Sequence, residues 1–382
     1  MQKADSAQAG RLLPFVALQG ALSTVVGFGA WLVYGQGGGT ATVQYALVLL
    51  TAAVLAISLP YALGRWLQLA VATWVRLCFA VPALLLWWAD GRPLLLAVAL
   101  GGFLGAGWAA RHWLELSLLQ DGQRDAYAAR ATVWTVLASL ATTLAVSVAL
   151  ARSGEAAQAA YACYAVLAAL AVVLAPRQLP QAAPLRLQNP LAIVRHAAFV
   201  RSLPLYFLES GLMGVGLVIN ASAAVHALGL ASHYGWALSA ATVLGAAGLH
   251  AVRARRHAGN RLRWMGLACL GMVLAQALLA ATAWQGWLYV PHLLLLAWAQ
   301  PFWQASEQVL NQRALDLEGA LADRILVREW VLWLFRVGSL LLFWLAARNW
   351  PAPQQWFLGS LLMGLATLAE WRLARHWLRH RP

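Results

Sequence analysis

The stretch Arg201-Ser202-Leu203-Pro204-Leu205-Tyr206-Phe207-Leu208-Glu209 repeats a pattern already met at Arg11-Leu12-Leu13-Pro14-Phe15-Val16-Ala17-Leu18-Gln19. Each copy reads arginine, one residue, Leu-Pro, three residues, leucine, then an amide or its acid. The copies lie 190 positions apart in a chain of 382 residues, almost half of its length, and duplication of one unit explains that offset better than chance. Between them lies the longest unspanned segment, opening Pro176-Arg177-Gln178-Leu179-Pro180-Gln181-Ala182-Ala183-Pro184. Its prolines and scattered arginines disfavour a membrane span and suit a linker. The expected organisation is a first unit over 1–176, a linker over 177–202 and a second unit over 203–382.

Composition names the solvent of both units. The chain is 62% hydrophobic and 10% charged, against roughly 45–50% and about 25% for soluble domains, and its mean hydropathy is +0.66. A water-soluble globule is excluded. A membrane-spanning helix needs about 20 predominantly apolar residues. Cutting the chain at charges, Gly/Pro clusters and polar runs leaves twelve such segments: 11–35, 42–64, 66–89, 93–118, 128–151 and 157–176, then 203–227, 232–252, 261–284, 286–311, 325–347 and 354–374. Runs such as Leu340-Leu341-Leu342-Phe343-Trp344-Leu345 are apolar on every side, whereas barrel strands alternate. The fold class expected is an all-α membrane protein of 12 transmembrane helices in two parallel-related six-helix bundles.

The charge of +14 gives the sidedness. With both termini on the cytoplasmic side, 22 of the 27 basic residues fall in cytoplasmic loops and termini, three (Arg92, Arg152, Arg348) lie on the other side, and Arg76 and Arg336 sit within helices. The basic excess therefore points to the cytoplasmic membrane surface, and no nucleic-acid partner is expected. Many of the 21 tryptophans lie near helix ends, where indole anchors at the interface. The three cysteines sit inside apolar stretches as small core residues, and the nine histidines make no metal constellation.

A looser correspondence joins the fourth and fifth helices of the halves: Trp113-x-Glu115 precedes Arg130-x-x-x-Trp134, and Trp303-x-x-x-Glu307 precedes Arg328-Glu329-Trp330. An even number of helices per unit keeps the same sidedness, so the copy is parallel rather than inverted. Six helices plus six, a central cytoplasmic linker and both termini inside resemble the major facilitator superfamily of secondary transporters. The family's loop between helices 8 and 9 has a counterpart in Gly248-Leu-His-Ala251-Val-Arg253-Ala-Arg255-Arg256-His-Ala-Gly259-Asn-Arg261. Its first copy, Leu59-Pro60-Tyr61-Ala62-Leu63-Gly64-Arg65-Trp66, lacks the acidic and most of the basic residues. The stretch Arg328-Glu329 to Arg336-Val337-Gly338 is similar to the eleventh helix of some bacterial members. The resemblance implies alternating access: two bundles rock about a midplane site, with the eleventh helix beside the cavity and the third peripheral.

Polar groups inside the spans are the candidate site, because a charge there costs at least about 2.5–3.5 kcal/mol. Arg336 and Arg76 are expected to bind an anionic substrate group or a helix carboxylate, a buried structural ion pair being the alternative. Glu209, two turns into the seventh helix where the first copy has Gln19, is the candidate proton carrier; pairing with an arginine such as Arg201 is the other reading. Asn220 lies three turns further along nearly the same face and would bond substrate or a neighbouring helix. On the tenth helix Gln300, Trp303, Gln304, Glu307, Gln308 and Asn311 form one broad polar face beside Pro301. Trp303, Gln304 and Gln300 are expected to face substrate. Glu307 with Arg328 or Arg324, and Glu115 with Arg130 or Arg124, are expected to latch the cytoplasmic gate.

The function expected is secondary transport of a small organic solute, drug or metabolite, with protons as the candidate coupling ion. A flippase for a lipid-linked sugar is the alternative, and a polytopic membrane enzyme ranks below it, since no outer loop carries a carboxylate or histidine cluster. No ATP-binding loop is present. No cofactor, metal or enzymatic activity is expected. The expected partners are a small-molecule substrate and membrane lipids, with the chain acting as a monomer in a bacterial cytoplasmic membrane.

Overall fold

The computed structural model describes residues 2–67, 70–119, 121–177, 179, 187–252 and 260–380. The expected basic loop at 253–259 and the linker positions 178 and 180–186 lie outside the described residues. Gln2–Leu67 is helical except at Gly38, whose φ of 68° and ψ of −162° break the path. A straight helix of these 66 residues would run about 99 Å at 1.5 Å per residue, three times a bilayer core of about 30 Å. The chain turns back instead at Gly37-Gly38-Gly39, where glycine takes the positive φ without a Cβ clash. The Tyr45 hydroxyl accordingly donates to the Val26 carbonyl at 3.5 Å, a separation no straight helix allows.

We label the two limbs α1 (2–37) and α2 (39–67). There follow α3 (Val71–Leu85, continued by the single turn Leu86–Trp88), α4 (Pro93–Leu118), α5 (Asp121–Arg152) and α6 (Ala157–Leu174). The second half opens with the short α7 (Pro190–Arg195) and continues with α8 (Ala197–Ser210), α9 (Met213–Leu228), α10 (Ala231–Val252) and α11 (Arg261–Ala281). It ends with α12 (Tyr289–Ala314), α13 (Leu321–Ala347) and α14 (Ala352–His380). Among the described residues nine stretches are long and apolar enough to cross a membrane, and the first, Gly10–Gly64, holds both α1 and α2. The more polar α10 and α12 complete twelve crossings, α8 and α9 together making one of them. The fold is therefore the expected all-α, twelve-helix membrane architecture.

Two spans differ from expectation. The span expected at 203–227 begins earlier, at Ala197, because the His196 ring accepts the Ala198 N–H at 3.3 Å and caps the helix. It is also broken between Ser210 and Met213. The Gly211 carbonyl at the break accepts from the Ser339 hydroxyl of α13, so one backbone group freed by the break is satisfied from a neighbouring helix. The span expected at 66–89 starts as α3 only at Val71, which puts Arg76 under two turns from the helix start rather than at its middle.

Small residues set the closest helix crossings. A Cβ added at Gly105 of α4 would stand 1.9 Å from the Ala53 carbonyl oxygen of α2. One at Gly245 of α10 would stand 2.2 Å from the Ala297 oxygen of α12. The two crossings join the second and fourth helices of each half, and both members are shifted by the same 192 positions. Outside, leucines such as Leu170, Leu270, Leu342 and Leu345 are exposed, as lipid allows and water would penalise. Trp66, Trp87, Trp88, Trp284 and Trp287 are exposed close to helix ends, the expected interfacial position.

The halves touch at both ends of the bundle. At the end away from α7, Phe28 and Tyr234 stack edge to face with centroids 5.2 Å apart, and Glu155 Oε2 accepts the Ser232 N–H at 2.9 Å. At the α7 end, Val54, Ile57 and Tyr61 of α2 and Ala109 of α4 pack on Ala322, Ile325 and Leu326 of α13. There the Asp323 carboxylate also accepts the backbone N–H groups of Gln188 at 2.9 Å and Asn189 at 2.7 Å, tying linker to bundle.

Candidate central cavity

Between these seals lies a cavity of about 640 Å³ lined from both halves. Gln19, Leu50, Trp108, His112, Glu115 and Thr135 come from the first half. The second half supplies Glu209 and Ser210 at the broken span, the amide-rich face of α12, Arg328, Glu329 and Arg336 of α13, and Glu370 of α14.

Arg328 is the hub. Its side chain is 3% exposed, and Nη2 donates to both Glu209 oxygens at 2.8 and 3.0 Å. Nη1 donates to Glu329 Oε1 at 2.7 Å, and the guanidinium lies 5.4 Å from the Tyr206 ring centroid. His112 Nε2 stands 3.4 Å from Nη1, which places this histidine in the ion cluster. Two carboxylates take the two terminal nitrogens of one guanidinium, leaving Nε without a partner among the described residues, and this planar multidentate geometry suits arginine to a desolvated hub. About two turns toward the other end, Arg336 donates through Nε to Ser210 Oγ at 2.7 Å, beside the break.

A second cluster surrounds Glu115. Its Oε1 accepts from Arg111 Nε at 2.7 Å and from the Tyr127 hydroxyl at 2.9 Å. Its Oε2 accepts from Gln308 and Gln312 of α12 at 3.1 and 3.4 Å. Glu115 thus joins the halves at the α7 end. Of the partners expected for it, Arg130 is exposed on α5 and the Arg124 side chain lies outside those described; Arg111, one helical turn away, holds the carboxylate.

Glu307 of α12 and Glu370 of α14 line the same cavity, with Trp303 one helical turn before Glu307. The arginine expected to pair with Glu307, Arg328, is occupied by Glu209 and Glu329; the other candidate, Arg324, donates to the Leu315 and Leu317 carbonyls at 2.6 and 2.7 Å.

The cavity brings together Gln19, Gln300, Trp303, Gln304 and Arg336 among the residues expected to meet substrate, with Glu209, Glu115, Glu307 and Arg328. It leaves out Arg76 and Asn220. Arg76 is exposed on the outer surface near the end of α3, where a long side chain reaches the interface. Asn220 donates to the Gly216 carbonyl at 2.9 Å, and its Oδ1 lies 3.2 Å from His292 Nε2, an interhelical contact. Sequence reasoning passed over Glu329, Glu370 and Gln276. Glu370 was detectable, since a carboxylate within an apolar span needs a reason. Gln19 is 1% exposed and leaves both amide atoms without a hydrogen-bond partner among the described residues. An unsatisfied buried amide is costly unless water or solute meets it. Among the described residues no three His, Cys, Asp or Glu side chains are grouped to hold a metal ion.

No family model and no curated protein sequence matches the chain. Solved structures do. The xylose transporter XylE from E. coli, in a partially occluded inward-open conformation, superposes with a TM-score of 0.66 at 13% identity over 96% of this chain and 98% of that one. The human organic anion transporter MFSD10 gives 0.63 at 16% identity over 96% and 99%. The nucleoside transporter NupG gives 0.59 at 13% over 98% and 100%.

Proposed function

We propose that this chain, whose fold is that of the major facilitator superfamily, is a secondary transporter that moves a small polar organic solute by alternating access. One observation carries the reading: a cavity carrying many polar side chains lies between the halves, lined by both, with contacts between the halves at each end of the bundle. Rocking the halves would break one seal while keeping the other. The broken span reinforces this, because discontinuous helices at membrane depth are tolerated where they line a cavity. The chain would sit in a cytoplasmic membrane with the α7 end inside, as its arginines favour.

In the cavity, Gln19, Gln300 and Gln304 would hydrogen-bond the solute, Trp303 would offer a flat apolar face, and Arg336 would attract an anionic group. Glu115 with Gln308 and Gln312 would latch the inner gate. Glu209 could take up a proton only as Arg328 lets it go, since Arg328 donates to both of its oxygens. Coupling to a proton gradient is therefore tied to movement of α13 against α8.

The test is uptake into proteoliposomes of labelled nucleosides, pentoses and organic anions, with and without an imposed pH gradient. Saturable uptake of at least one class is expected, falling at least tenfold in Gln19→Ala and Arg336→Ala. Spin labels at the two ends should report that one separates as the other closes; ends that never move in opposition would overturn alternating access.

A groove of about 610 Å³ between α2, α3 and α4 favours one further reading. It is lined almost wholly by apolar side chains such as Leu55, Leu77 and Val81, and its Thr51 bonds to Trp333, which lines the cavity. An amphiphile with its acyl chain in the groove and its head group in the cavity would make the protein a flippase. Translocation of fluorescent lipid in the same vesicles decides between the two.

A further inference from the structure

The second-half wall of the cavity presents hydrogen-bond acceptors that no donor around them meets. Five carboxyl side chains line the cavity, Glu115, Glu209, Glu307, Glu329 and Glu370, against three guanidiniums, Arg111, Arg328 and Arg336. Arg111 takes Glu115, and Arg328 takes Glu209 and Glu329. Among the described residues no guanidinium stands within ion-pair distance of Glu307 or Glu370. Glu370 is 2% exposed, and its Oε1 has no hydrogen-bond partner. Asn311, one turn beyond Glu307 on α12, leaves its Oδ1 unpartnered, as Gln312 and Gln276 leave Oε1. The amide of Gln312 is oriented by its neighbour, since Nε2 donates to Glu115 and Oε1 therefore faces away from it. Against these oxygens the buried donors left unpartnered in the same lining, among the described residues, are Arg328 Nε and Gln19 Nε2.

A carboxylate shielded from water and left without a cation is unfavourable, and acceptors cannot satisfy one another. The group that meets them carries positive charge and several N–H donors. An ammonium has three donors and no acceptor, and its bonds to a carboxylate are charge-assisted. A cation is also drawn to the face of an indole, and Trp108, Trp303 and Trp333 line the same space. Those indoles favour an organic cation over a hydrated metal ion, for which the described residues offer no group of three His, Cys, Asp or Glu side chains.

We infer that the cavity takes a solute bearing a protonated amine, held by Glu370 and Glu307. Arg336 bonds to the Ser210 hydroxyl rather than to a carboxylate. It therefore repels a second ammonium and leaves a place for an acid group on the same solute. Movement of that solute rests on the transport reading; the charge of the bound group does not.

The experiment is isothermal titration calorimetry on the purified full-length protein in detergent at neutral pH, with 2-phenylethylamine and butylamine as probes and 2-phenylethanol and butanol as their neutral counterparts. At least one amine should bind saturably, roughly tenfold tighter than its alcohol, because a hydrogen bond to a charged group is worth more than a neutral one. Glu370→Gln and Glu307→Gln should each cut amine affinity by a similar factor and leave the alcohol unchanged. Glu318→Gln, which removes an exposed carboxylate outside the cavity, should change neither. Should a variant not purify, the wild-type ratio of amine to alcohol still decides. An alcohol that binds as tightly as its amine overturns the proposal, as does failure of both amines to bind. Amine affinity retained in both glutamine variants also overturns it, and binding of sodium but of neither amine would mark an inorganic-cation site instead and overturn it too. Vesicles that show no movement would leave amine binding standing, whereas uptake of a sugar or an anion without amine binding would leave transport standing and sink this inference.

Discussion

Glu115 and Glu307 occupy the same place in the two halves, 192 positions apart, the offset that also relates the crossings Ala53–Gly105 and Gly245–Ala297. The residue one turn earlier is what differs. In the first half that residue is Arg111, and the result is an ion pair with N···O of 2.7 Å. In the second half it is Trp303, whose indole carries no charge. Guanidinium against indole therefore separates a fixed, charge-balanced latch from a carboxyl with no cation one turn away. The other acceptor sites of Glu115 are filled by Tyr127, Gln308 and Gln312. Duplication supplied one scaffold twice, and a single side-chain change gave the copies different chemistry.

The most disruptive way to break the comparison is Arg111→Leu. It leaves a buried Glu115 charge with only neutral donors, and removing one partner of a buried pair costs about 3–5 kcal/mol. The matching change, Trp303→Phe, breaks no ion pair and removes at most one neutral N–H donor, worth roughly 0.5–1.5 kcal/mol. Denaturant titration of the two purified variants should show the first several-fold more destabilised. Equal losses would mean that Glu115 is not held as a charged latch. The reciprocal change Trp303→Arg should convert the second half toward the first: the new guanidinium stands one turn before Glu307, as Arg111 stands before Glu115, and should raise stability relative to Trp303→Phe in the same titration.

Next in size are the glycine crossings. Gly105→Ala and Gly245→Ala each drive a Cβ into a carbonyl oxygen of the facing helix, at 1.9 and 2.2 Å. The facing atom is backbone, so a helix must shift, and overpacking of this kind costs about 1–3 kcal/mol. Thermal unfolding in detergent should show both losses with similar magnitude. A large effect at Gly105 and none at Gly245 would break the structural equivalence of the halves, even though their sequence offset would stand.

Much of the fold was legible because lipid imposes simple rules. Length and apolarity gave the twelve crossings, and the Arg11 and Arg201 copies gave the halves. The break at Gly211 escaped, since residues 203–227 read as one apolar run and the break is stabilised from outside, by Ser339 and Arg336 of α13. The site was legible as a set of polar groups and illegible as pairs. Arg328 and Glu307 stand near one another by sequence pattern, yet Arg328 has two better-placed carboxylates, Glu209 and Glu329, one of them on a helix 119 positions earlier. Arg76 and Asn220 show the converse: position within a span does not give the face presented, and only packing placed one at the surface and the other against His292.

The smallest expected effect concerns the two indoles of α13 that reach across to α2. Trp333 Nε1 donates to Thr51 Oγ1 at 3.3 Å, and Trp330 Nε1 donates to Ser58 Oγ at 3.0 Å. By distance alone the second bond is the better one, but Trp330 is 38% exposed and Trp333 is partly buried beside the cavity. An indole that keeps contact with water or headgroups can replace its acceptor; a buried one cannot, and a lost partner costs the full desolvation of the group. Thr51→Val, which preserves shape, should therefore cost about 1 kcal/mol, while Ser58→Ala should fall within about ±0.5 kcal/mol of wild type. Both bonds join the first half to the second, so the difference should also appear as state occupancy. Spin-label distances across the α7 end should shift toward the separated form in Thr51→Val and stay unchanged in Ser58→Ala. A larger shift in Ser58→Ala would mean that contact distance, rather than access to water, governs how the two halves hold together.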